Sequence, residues 1–273
     1  MGTGRIAVVT GAGGGIGRAI AQRLLQQQMI VVAADSDANA LAMLRDQARA
    51  ETLETVVADV TQTEDVDRIF ARVRQRGALH ILVNGVGSNC SGGLRDLSLA
   101  EWQRKFDLNL TSVFLCTAAA LPLLEATSGD RVVINLSSTL ATVADPQTLA
   151  YSAFKAGLEQ LTRGLALELA PSGIRVVTVA PGPVSATSGE ASFDSAEWAA
   201  LNPLGRFATP DEVATLIEFI ASPAAAYLTG TTVRLDGGDS ALGAGWGPLR
   251  AFVEAARSNE TTLPSTGEQC LPH

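Results

Sequence analysis

The chain has 273 residues, of which 47% are hydrophobic and 18% charged, and its formal net charge at pH 7 is −8. This balance predicts a soluble globular protein with a sizeable core, and it argues against nucleic acid or a membrane as a partner because no dense Lys/Arg cluster is present. The three cysteines and two histidines predict neither a disulfide framework nor a metal site, so we expect a cytoplasmic protein without a bound metal.

Short apolar and β-branched runs along the chain predict seven strands. They lie at 6–10, 29–34, 54–58, 81–85, 131–137, 174–180 and 231–237. Stretches of helical periodicity occupy 16–28, 38–49, 64–76, 100–126, 151–170 and 211–221. Because strands and helices alternate, the sequence predicts an α/β fold: a single-domain, Rossmann-type, doubly wound parallel sheet of about seven strands flanked by helices.

The first predicted strand leads into the glycine-rich stretch "TGAGGGIGRAI". Its glycines at 11, 15 and 17 depart from the common G-x-G-x-x-G spacing. They still allow a tight turn and a close backbone approach to a pyrophosphate at a helix N-terminus. The next strand ends at Asp35, where a carboxylate can accept hydrogen bonds from an adenosine ribose, while Asp37 is better placed to cap the following helix. This region predicts a dinucleotide site.

The stretch "YSAFK" holds one of two tyrosines and one of two lysines in the chain. On a helix, Tyr151 and Lys155 lie one turn apart on the same face, so the hydroxyl and the ammonium can approach one point. The residues alone leave open a second interpretation, in which the tyrosine packs in the core and the lysine stem lies along an apolar surface.

Seven motifs in order decide between these interpretations. They are "TGAGGGIG" (10–17), "ADV" (58–60), Asn109 in "FDLNLTS", "NLSS" (135–138), "YSAFK" (151–155), "APG" (180–182) and "LTGTTVRLDGG" (228–238). On these motifs the chain, from about residue 4 to residue 240, resembles the short-chain dehydrogenase/reductase family. Residues 1–240 are therefore expected to form the Rossmann domain.

The resemblance implies a catalytic tetrad of Asn109, Ser138, Tyr151 and Lys155. Tyr151 would be the general acid/base, Lys155 would lower the tyrosine pKa and hold the nicotinamide ribose, Ser138 would position the substrate oxygen, and Asn109 would support a water-linked proton relay. An ammonium about 5 Å from the phenol, at an effective dielectric of about 20, is worth roughly 3 kcal/mol, or about two pKa units.

The resemblance also implies NAD as the cofactor. The residues expected to bind it are Gly11, Gly14, Gly15, Ile16, Gly17, Asp35, Asp59, Val60, Asn84, Gly85, Tyr151, Lys155, Pro181, Gly182, Val184 and Thr187. Asp35 would repel a 2′-phosphate, and Gly14 stands where relatives that prefer NADPH often carry a basic residue. The family commonly forms tetramers, so we expect a homotetramer that pairs the helices near 100–126 and 151–170.

Two departures from the family pattern carry expectations. The chain reads Asn84-Gly85-Val86-Gly87 where the family usually has Asn-Asn-Ala-Gly, which predicts weaker side-chain bracing after the fourth strand. Ala186 stands where a threonine is usual, so Thr187 is expected to contact the nicotinamide in a shifted register.

We predict an NAD(H)-dependent oxidoreductase that interconverts a neutral secondary alcohol and its ketone. The alternatives are an NADPH-dependent 3-oxoacyl-carrier-protein reductase and a non-catalytic dinucleotide-sensing protein, which would be expected to lack part of the tetrad. The substrate pocket is expected from 88–95, 139–150 and 183–205. The last of these segments has no Lys, Arg or His, which makes recognition of phosphate, coenzyme A or carboxylate less favourable.

The family resemblance ends near residue 240, which leaves 241–273 as a C-terminal extension. Pro248 is placed like a first-turn proline, and Leu249, Phe252, Val253 and Ala256 follow with helical spacing. We predict a short helix over 246–256 that packs beside the substrate loop or a neighbouring subunit's active site, with Trp246 or Phe252 helping to close the pocket. The polar end from Ser258 onward is expected to be disordered.

Overall fold

The computed structural model describes residues 4–46, 51–88, 92–185, 199 and 201–241. Seven parallel strands form one sheet in the order β3-β2-β1-β4-β5-β6-β7. Their bounds are β1 Ile6–Thr10, β2 Ile30–Asp35, β3 Leu53–Val57, β4 Ile81–Asn84, β5 Arg131–Leu136, β6 Ile174–Pro181 and β7 Thr232–Leu235. The predicted seven strands and the doubly wound parallel fold are confirmed.

Helices cover both faces of the sheet. They are α1 Gly15–Gln26, α2 Ala38–Arg45, α3 Thr63–Arg76, α4 Leu99–Phe106, α5 Ser112–Ala126, α6 Leu149–Leu169 and α7 Pro210–Ile220. Single 3-10 turns occupy Thr139–Ala141, Ala170–Ser172, Pro223–Ala225 and Asp239–Ala241. The continuous apolar character of the strands has a direct consequence: Val8 packs on one face and Val9 on the other, in two separate buried clusters.

The helical segment predicted over 100–126 is present as Leu99–Ala126, but it is not α-helical throughout. A π-helical turn, Asp107–Thr111, separates α4 from α5, and the Ser112 amide donates to the Asp107 carbonyl five residues earlier. One extra residue per turn shifts the side chains that follow, and such turns are frequent at functional sites. This one contains Asn109.

Short polar motifs fix where several helices begin. Asp37 accepts the amides of Asn39 and Ala40 and caps α2, as its position predicts. Ser98 with Glu101 forms a capping box at the start of α4, and Thr209 with Glu212 forms another at α7. Each box satisfies amides that a helix start otherwise leaves without partners.

The continuous helical segment Leu99–Ala126 is long and apolar enough, with a mean hydropathy of 1.5 over its most apolar window, to pass a simple test for a membrane span. Core helices pass the same test. Here α5 packs against α3 and against strands β4 and β5, and it buries Cys116, Ala120 and Leu124. Burial raises the pKa of the Cys116 thiol to about 12, so this cysteine is unreactive at neutral pH.

Met1–Ser240 form one compact unit and Ala241–His273 a separate one. The predicted C-terminal helix and tail lie outside the described residues, and both remain predictions.

The strand order places a crevice at the carboxyl ends of β1 and β4. Strand β1 pairs with β2 on one side and with β4 on the other, so the chain connections leave the sheet in opposite directions at this point. Ligands of open α/β sheets bind at such a topological switch point.

Candidate active site

The turn between β1 and α1 requires glycine because its backbone is in close contact with neighbouring backbone. Gly11 has a φ of +71°, and a Cβ there would lie 3.0 Å from the carbonyl atoms of Gly85. A Cβ on Gly17 would lie 2.0 Å from the Gly11 oxygen. Side chains at these positions would displace the turn, so the turn leaves its backbone and the N-terminus of α1 open to a ligand.

Asp35, at the end of β2, is bound to this turn. Its Oδ2 accepts the Gly13 amide at 2.8 Å, and its Oδ1 accepts the Asp37 amide at 2.9 Å. A Cβ on Gly13 would lie 2.9 Å from the Asp35 carboxyl carbon. The carboxylate therefore has a fixed position beside the glycine turn, and each oxygen keeps a lone pair for a further donor.

A cavity of about 450 Å³ lies in front of the turn. Of the residues predicted to bind the cofactor, ten line it: Gly11, Gly14, Gly15, Ile16, Gly17, Asp35, Asp59, Val60, Gly85 and Val184. Seven further residues line it that were not predicted to bind the cofactor: Ser36, Ala58, Val86, Gly87, Leu108, Ser185 and Pro210. Four of them, Ala58, Val86, Gly87 and Leu108, belong to sequence stretches noted above, and Ser36 and Ser185 are next to predicted residues.

Asn84, Pro181 and Gly182, also predicted to bind the cofactor, do not line this cavity. Pro181 is the last residue of β6 and is buried, and Gly182 packs against β7, where its amide donates to the Leu235 carbonyl at 2.9 Å. Thr187 lies outside the described residues, so its predicted contact with the nicotinamide remains a prediction.

Lys155 is buried on α6 with only 2% of its surface exposed. Its Nζ donates to the Leu136 carbonyl at 2.8 Å and lies 5.5 Å from the centre of the Tyr151 ring. Burial lowers the pKa of Lys155 to about 8, since a charged amine is poorly solvated there. The predicted pair on one helical face is therefore present, with the ammonium beside the phenol.

Gly87 connects this pair to the cavity. It lines the cavity, and a Cβ built on it would lie 2.9 Å from the Lys155 Nζ and 3.1 Å from the Asn109 Oδ1. Lys155 and Asn109 thus meet directly behind the cavity wall, and a side chain at position 87 would have to displace the Lys155 ammonium.

Asn109 is fully buried in the π-helical turn. Its Nδ2 donates to the Lys105 carbonyl at 2.9 Å and, more weakly, to the Ser88 carbonyl at 3.5 Å. Within the described part of the chain its Oδ1 has no hydrogen-bond partner. A buried acceptor without a partner is costly, so this oxygen is suited to an ordered water or a ligand.

Ser138 lies two residues after the end of β5 and begins the 3-10 turn Thr139–Ala141, which packs against α6. Its backbone is extended, with φ −158° and ψ 156°, and its Oγ accepts the Leu140 amide at 3.2 Å. The serine hydroxyl keeps its proton free to donate to a substrate oxygen.

Several contacts hold the chain after β4, and the weaker bracing expected there stays a prediction. Asn84 Nδ2 donates to Asn135 Oδ1 at 2.8 Å and to Thr117 Oγ1 at 3.3 Å, while the Gly85 amide donates to Thr10 Oγ1 at 3.1 Å. A Cβ on Gly85 would lie 2.5 Å from the Thr10 carbonyl. Buried side chains and a close backbone contact therefore hold this strand end without a second asparagine.

Two of the three predicted pocket segments are joined. Gly92, with a φ of +142°, pairs with Thr148, and its amide donates to the Gln147 carbonyl at 2.6 Å. The described part of 88–95 and the loop before α6 therefore form one continuous wall. Most of the third segment, 183–205, lies outside the described residues.

Comparison with known proteins places this geometry among oxidoreductases. A family model described as enoyl-(acyl carrier protein) reductase matches residues 11–240. The chain is 38% identical over 246 residues to cis-4-hydroxycyclohexanecarboxylate dehydrogenase of Sinomonas cyclohexanicum, covering 87% of this chain and 97% of that protein. It is 37% identical over 241 residues to a 3-oxoacyl-[acyl-carrier-protein] reductase of Synechocystis sp., covering 86% and 97%.

Among solved structures, the 3-ketoacyl-(acyl-carrier-protein) reductase from Brucella melitensis complexed with NADH superposes with a TM-score of 0.80 at 29% identity. The match covers 86% of this chain and 98% of that one.

Proposed function

The chain belongs to the short-chain dehydrogenase/reductase family, and we propose that it is an NAD(H)-dependent oxidoreductase that interconverts a secondary alcohol and its ketone. The observation that carries the proposal is the buried Lys155 ammonium, 5.5 Å from the Tyr151 ring and directly behind the wall of a glycine-lined cavity.

Tyr151 is the acid/base in this proposal. A free phenol titrates near pH 10, too high for a base at neutral pH. The Lys155 ammonium favours the phenolate by Coulombic attraction, roughly 3 kcal/mol at about 5 Å and an effective dielectric of about 20. In alcohol oxidation the phenolate oxygen accepts the hydroxyl proton of the substrate, and in ketone reduction the phenol returns it.

Ser138 and Asn109 have supporting roles. The Ser138 hydroxyl donates to the substrate oxygen and orients it toward Tyr151. Asn109 Oδ1, which is buried and has no partner among the described residues, accepts from a water next to Lys155. In this proposal the proton that Tyr151 gains or gives up passes between Lys155, this water and the solvent. Tyr151 thereby returns to its starting protonation state after each turnover.

The residues present fit a nicotinamide dinucleotide. The glycine turn offers α1 amides to a pyrophosphate, Asp35 is positioned for a ribose diol, and the cavity of about 450 Å³ connects them to Lys155 through Gly87. When bound, the nicotinamide supplies or accepts the hydride. The chain's own residues orient the substrate and move the proton.

Two features support NAD over NADP. Asp35 carries a negative charge where a 2′-phosphate would lie, and no lysine or arginine is among the described residues that line the cavity. Measuring kcat/KM with NADH and NADPH tests this assignment: a preference of a hundredfold or more for NADH supports it, and equal values contradict it.

The substrate class is proposed from the name of a relative and from the composition of a predicted pocket segment. Cis-4-hydroxycyclohexanecarboxylate dehydrogenase is named for a ring-borne secondary alcohol that also carries a carboxylate, so its name supports the alcohol but not the neutral charge. We propose a neutral secondary alcohol or ketone for this chain because the third predicted pocket segment contains no basic residue. A panel of neutral and carboxylated secondary alcohols, followed by NADH absorbance, tests this.

A 3-oxoacyl-carrier-protein reductase is the second candidate, and the name of the Synechocystis relative favours it. The NADH in the Brucella structure indicates that a reductase with that name can bind the unphosphorylated cofactor. Turnover of a 3-oxoacyl thioester at a higher kcat/KM than any neutral ketone would favour this candidate over the first.

We further propose a cytoplasmic homotetramer that pairs α5 and α6. Phe114 on α5 is 59% exposed and Leu167 on α6 is 80% exposed, which is unusual for large apolar side chains on packed helices. Light scattering at micromolar concentration tests the assembly, and a monomer would contradict it.

A further inference from the structure

Helix α6 buries a second ionisable side chain, Glu159, one turn after Lys155. Only 6% of its surface is exposed, and it lies on the helix face that carries Lys155 and Thr162 toward the sheet. Burying a carboxylate costs free energy unless it is hydrogen-bonded or paired. In the described part of the chain no lysine or arginine lies within ion-pair distance of Glu159.

The contact that Glu159 does make is with Ser137. The Ser137 hydroxyl is buried and shares its proton between the Lys155 carbonyl at 3.3 Å and the Glu159 Oε1 at 3.4 Å. The Ser137 amide donates to the Val179 carbonyl of β6 at 2.8 Å. Ser137 is therefore held from two directions, by the sheet through its backbone and by α6 through its side chain.

Ser137 lies between two residues of the proposed machinery. The carbonyl of Leu136, on one side, accepts the Lys155 Nζ, and Ser138, on the other side, carries the hydroxyl that meets the substrate oxygen. A shift of Ser137 away from α6 would change the distance between the Ser138 and Tyr151 hydroxyls. Displacements well below 1 Å matter there, because proton transfer and substrate orientation depend on the relative positions of the two hydroxyl groups.

We propose that Glu159 is a positioning residue that acts through Ser137 to hold Ser138 in register with Tyr151 on α6. The proposal rests on the function proposed above. It explains why a side chain with a hydrogen-bond acceptor, and not an apolar one, occupies this buried position.

Four variants test the proposal. Glu159→Leu removes the acceptor, Ser137→Ala removes the donor, Glu159→Gln keeps an acceptor of the same length, and the double variant Ser137→Ala/Glu159→Leu removes both partners. We expect Glu159→Leu and Ser137→Ala each to lower kcat about tenfold with the dissociation constant of NADH unchanged. The double variant is expected to be no worse than Ser137→Ala alone, because Ser137→Ala already removes the contact that Glu159→Leu removes, together with the bond to the Lys155 carbonyl. Glu159→Gln is expected to retain kcat within about threefold.

The exposed pair Ser172 and Glu125 is a matched control. The Ser172 hydroxyl donates to Glu125 Oε1 at 3.3 Å, far from the cavity. Ser172→Ala and Glu125→Leu are expected to leave kcat unchanged.

A purely structural role for Glu159 would lower the melting temperature of the leucine variant but leave its kcat at the wild-type value, and that result would overturn the proposal. Additive losses in the double variant would also overturn it. If Glu159→Leu does not fold, Ser137→Ala carries the test alone, and wild-type kcat in that variant is the contradicting result. Full activity of Tyr151→Phe, in contrast, would overturn the proposed function itself.

Discussion

Charged side chains are buried at both ends of the parallel strands, here called the amino edge and the carboxyl edge of the sheet. The two ends differ in whether these charges have a partner of opposite charge. At the amino edge, Asp130 accepts two hydrogen bonds from Arg175, at 3.0 and 2.9 Å, and lies 3.4 Å from Arg5. At the carboxyl edge, the Lys155 ammonium donates to the Leu136 carbonyl and lies 5.5 Å from the centre of the Tyr151 ring, with no carboxylate within ion-pair distance among the described residues.

The same contrast extends to neutral polar groups. At the amino edge, His80 Nδ1 accepts the Ile6 amide at 3.1 Å, and Arg175 also donates to the carbonyls of Ile220 and Leu228. At the carboxyl edge, Asn84 Oδ1 and Asn109 Oδ1 are buried without a partner in the described part of the chain. Arg131 Nε at the amino edge is also buried without a partner among the described residues, but the other polar groups there hold elements together. At the carboxyl edge, Asn109 Oδ1 lies next to Gly87 of the cavity wall, where it can accept a hydrogen bond from a water or a ligand.

The largest effect is expected for Tyr151→Phe at the carboxyl edge. The change removes one hydroxyl oxygen and leaves the ring beside Lys155, so the protein should fold and bind NADH. Turnover should fall about a thousandfold or more, in the range that general acid/base catalysis contributes. Steady-state kinetics with a titration of NADH fluorescence checks both parts, and turnover within tenfold of the parent would remove Tyr151 from its role.

The next effect concerns the charge of Asp35. A carboxylate about 4 Å from a 2′-phosphate costs a few kcal/mol at an effective dielectric of about 20, which is a hundredfold or more in affinity. Asp35→Ser removes the charge, so we expect the preference for NADH over NADPH to collapse by about that factor. Asp37→Ser, which keeps a helix cap, is the control and should leave the preference unchanged.

At the amino edge, Asp130→Asn should reduce stability without affecting turnover. It leaves Arg5 and the 7%-exposed Arg175 without their shared counter-ion. Breaking a buried pair costs about 3 kcal/mol, which corresponds to about 5 °C or more in melting temperature for a chain of this size. Glu54→Gln, in an exposed pair with Arg76, is expected to cost less than about 1 kcal/mol.

A smaller effect is expected from His80. Burial lowers the pKa of His80, and the nearby positive charges of Arg5 and Arg131 lower it further, while Asp130 raises it. The folded state therefore favours the neutral ring, and the unfolded state takes up the proton first as the pH falls below the ordinary value of about 6.5. The contribution of His80 to the free energy of unfolding is therefore fully present above that pH and is lost as the pH falls below it.

His80→Asn tests this because its amide oxygen can accept the Ile6 amide without titrating. The melting temperature of the wild type should drop by a few degrees more than that of the variant between pH 7.5 and pH 5.5. Parallel curves would contradict a role for His80.

Much of this architecture could be predicted from the sequence because the patterns are local. Short continuous apolar runs predicted the strands, and Asp37 was identified as a cap from its position before α2. The glycine turn and Asp35 were predicted from spacing, and their contacts in the structure follow from the parallel order of β1 and β2.

What the sequence did not reveal depends on three-dimensional packing. The π-helical turn at Asn109 adds one residue to one helical turn, which leaves the apolar periodicity of the helix almost unchanged. The close contact between Gly85 and Thr10 could be predicted only if the distance between the ends of β1 and β4 were known. Glu159 and His80 look like surface residues in the sequence, and only the neighbours that cover them show otherwise.

Lys155→Met offers the most direct test of the contrast between the two edges. With its pKa lowered to about 8, the buried ammonium costs about 3 kcal/mol at neutral pH, and the loss of the Leu136 contact offsets part of that gain. We therefore expect the variant to lose turnover about a thousandfold while its melting temperature at pH 7 equals or exceeds that of the wild type. Because the wild-type cost disappears between pH 8 and about 10.5, any advantage of the variant should shrink across that range. A variant that is clearly less stable at pH 7, or one that remains active, would contradict the account.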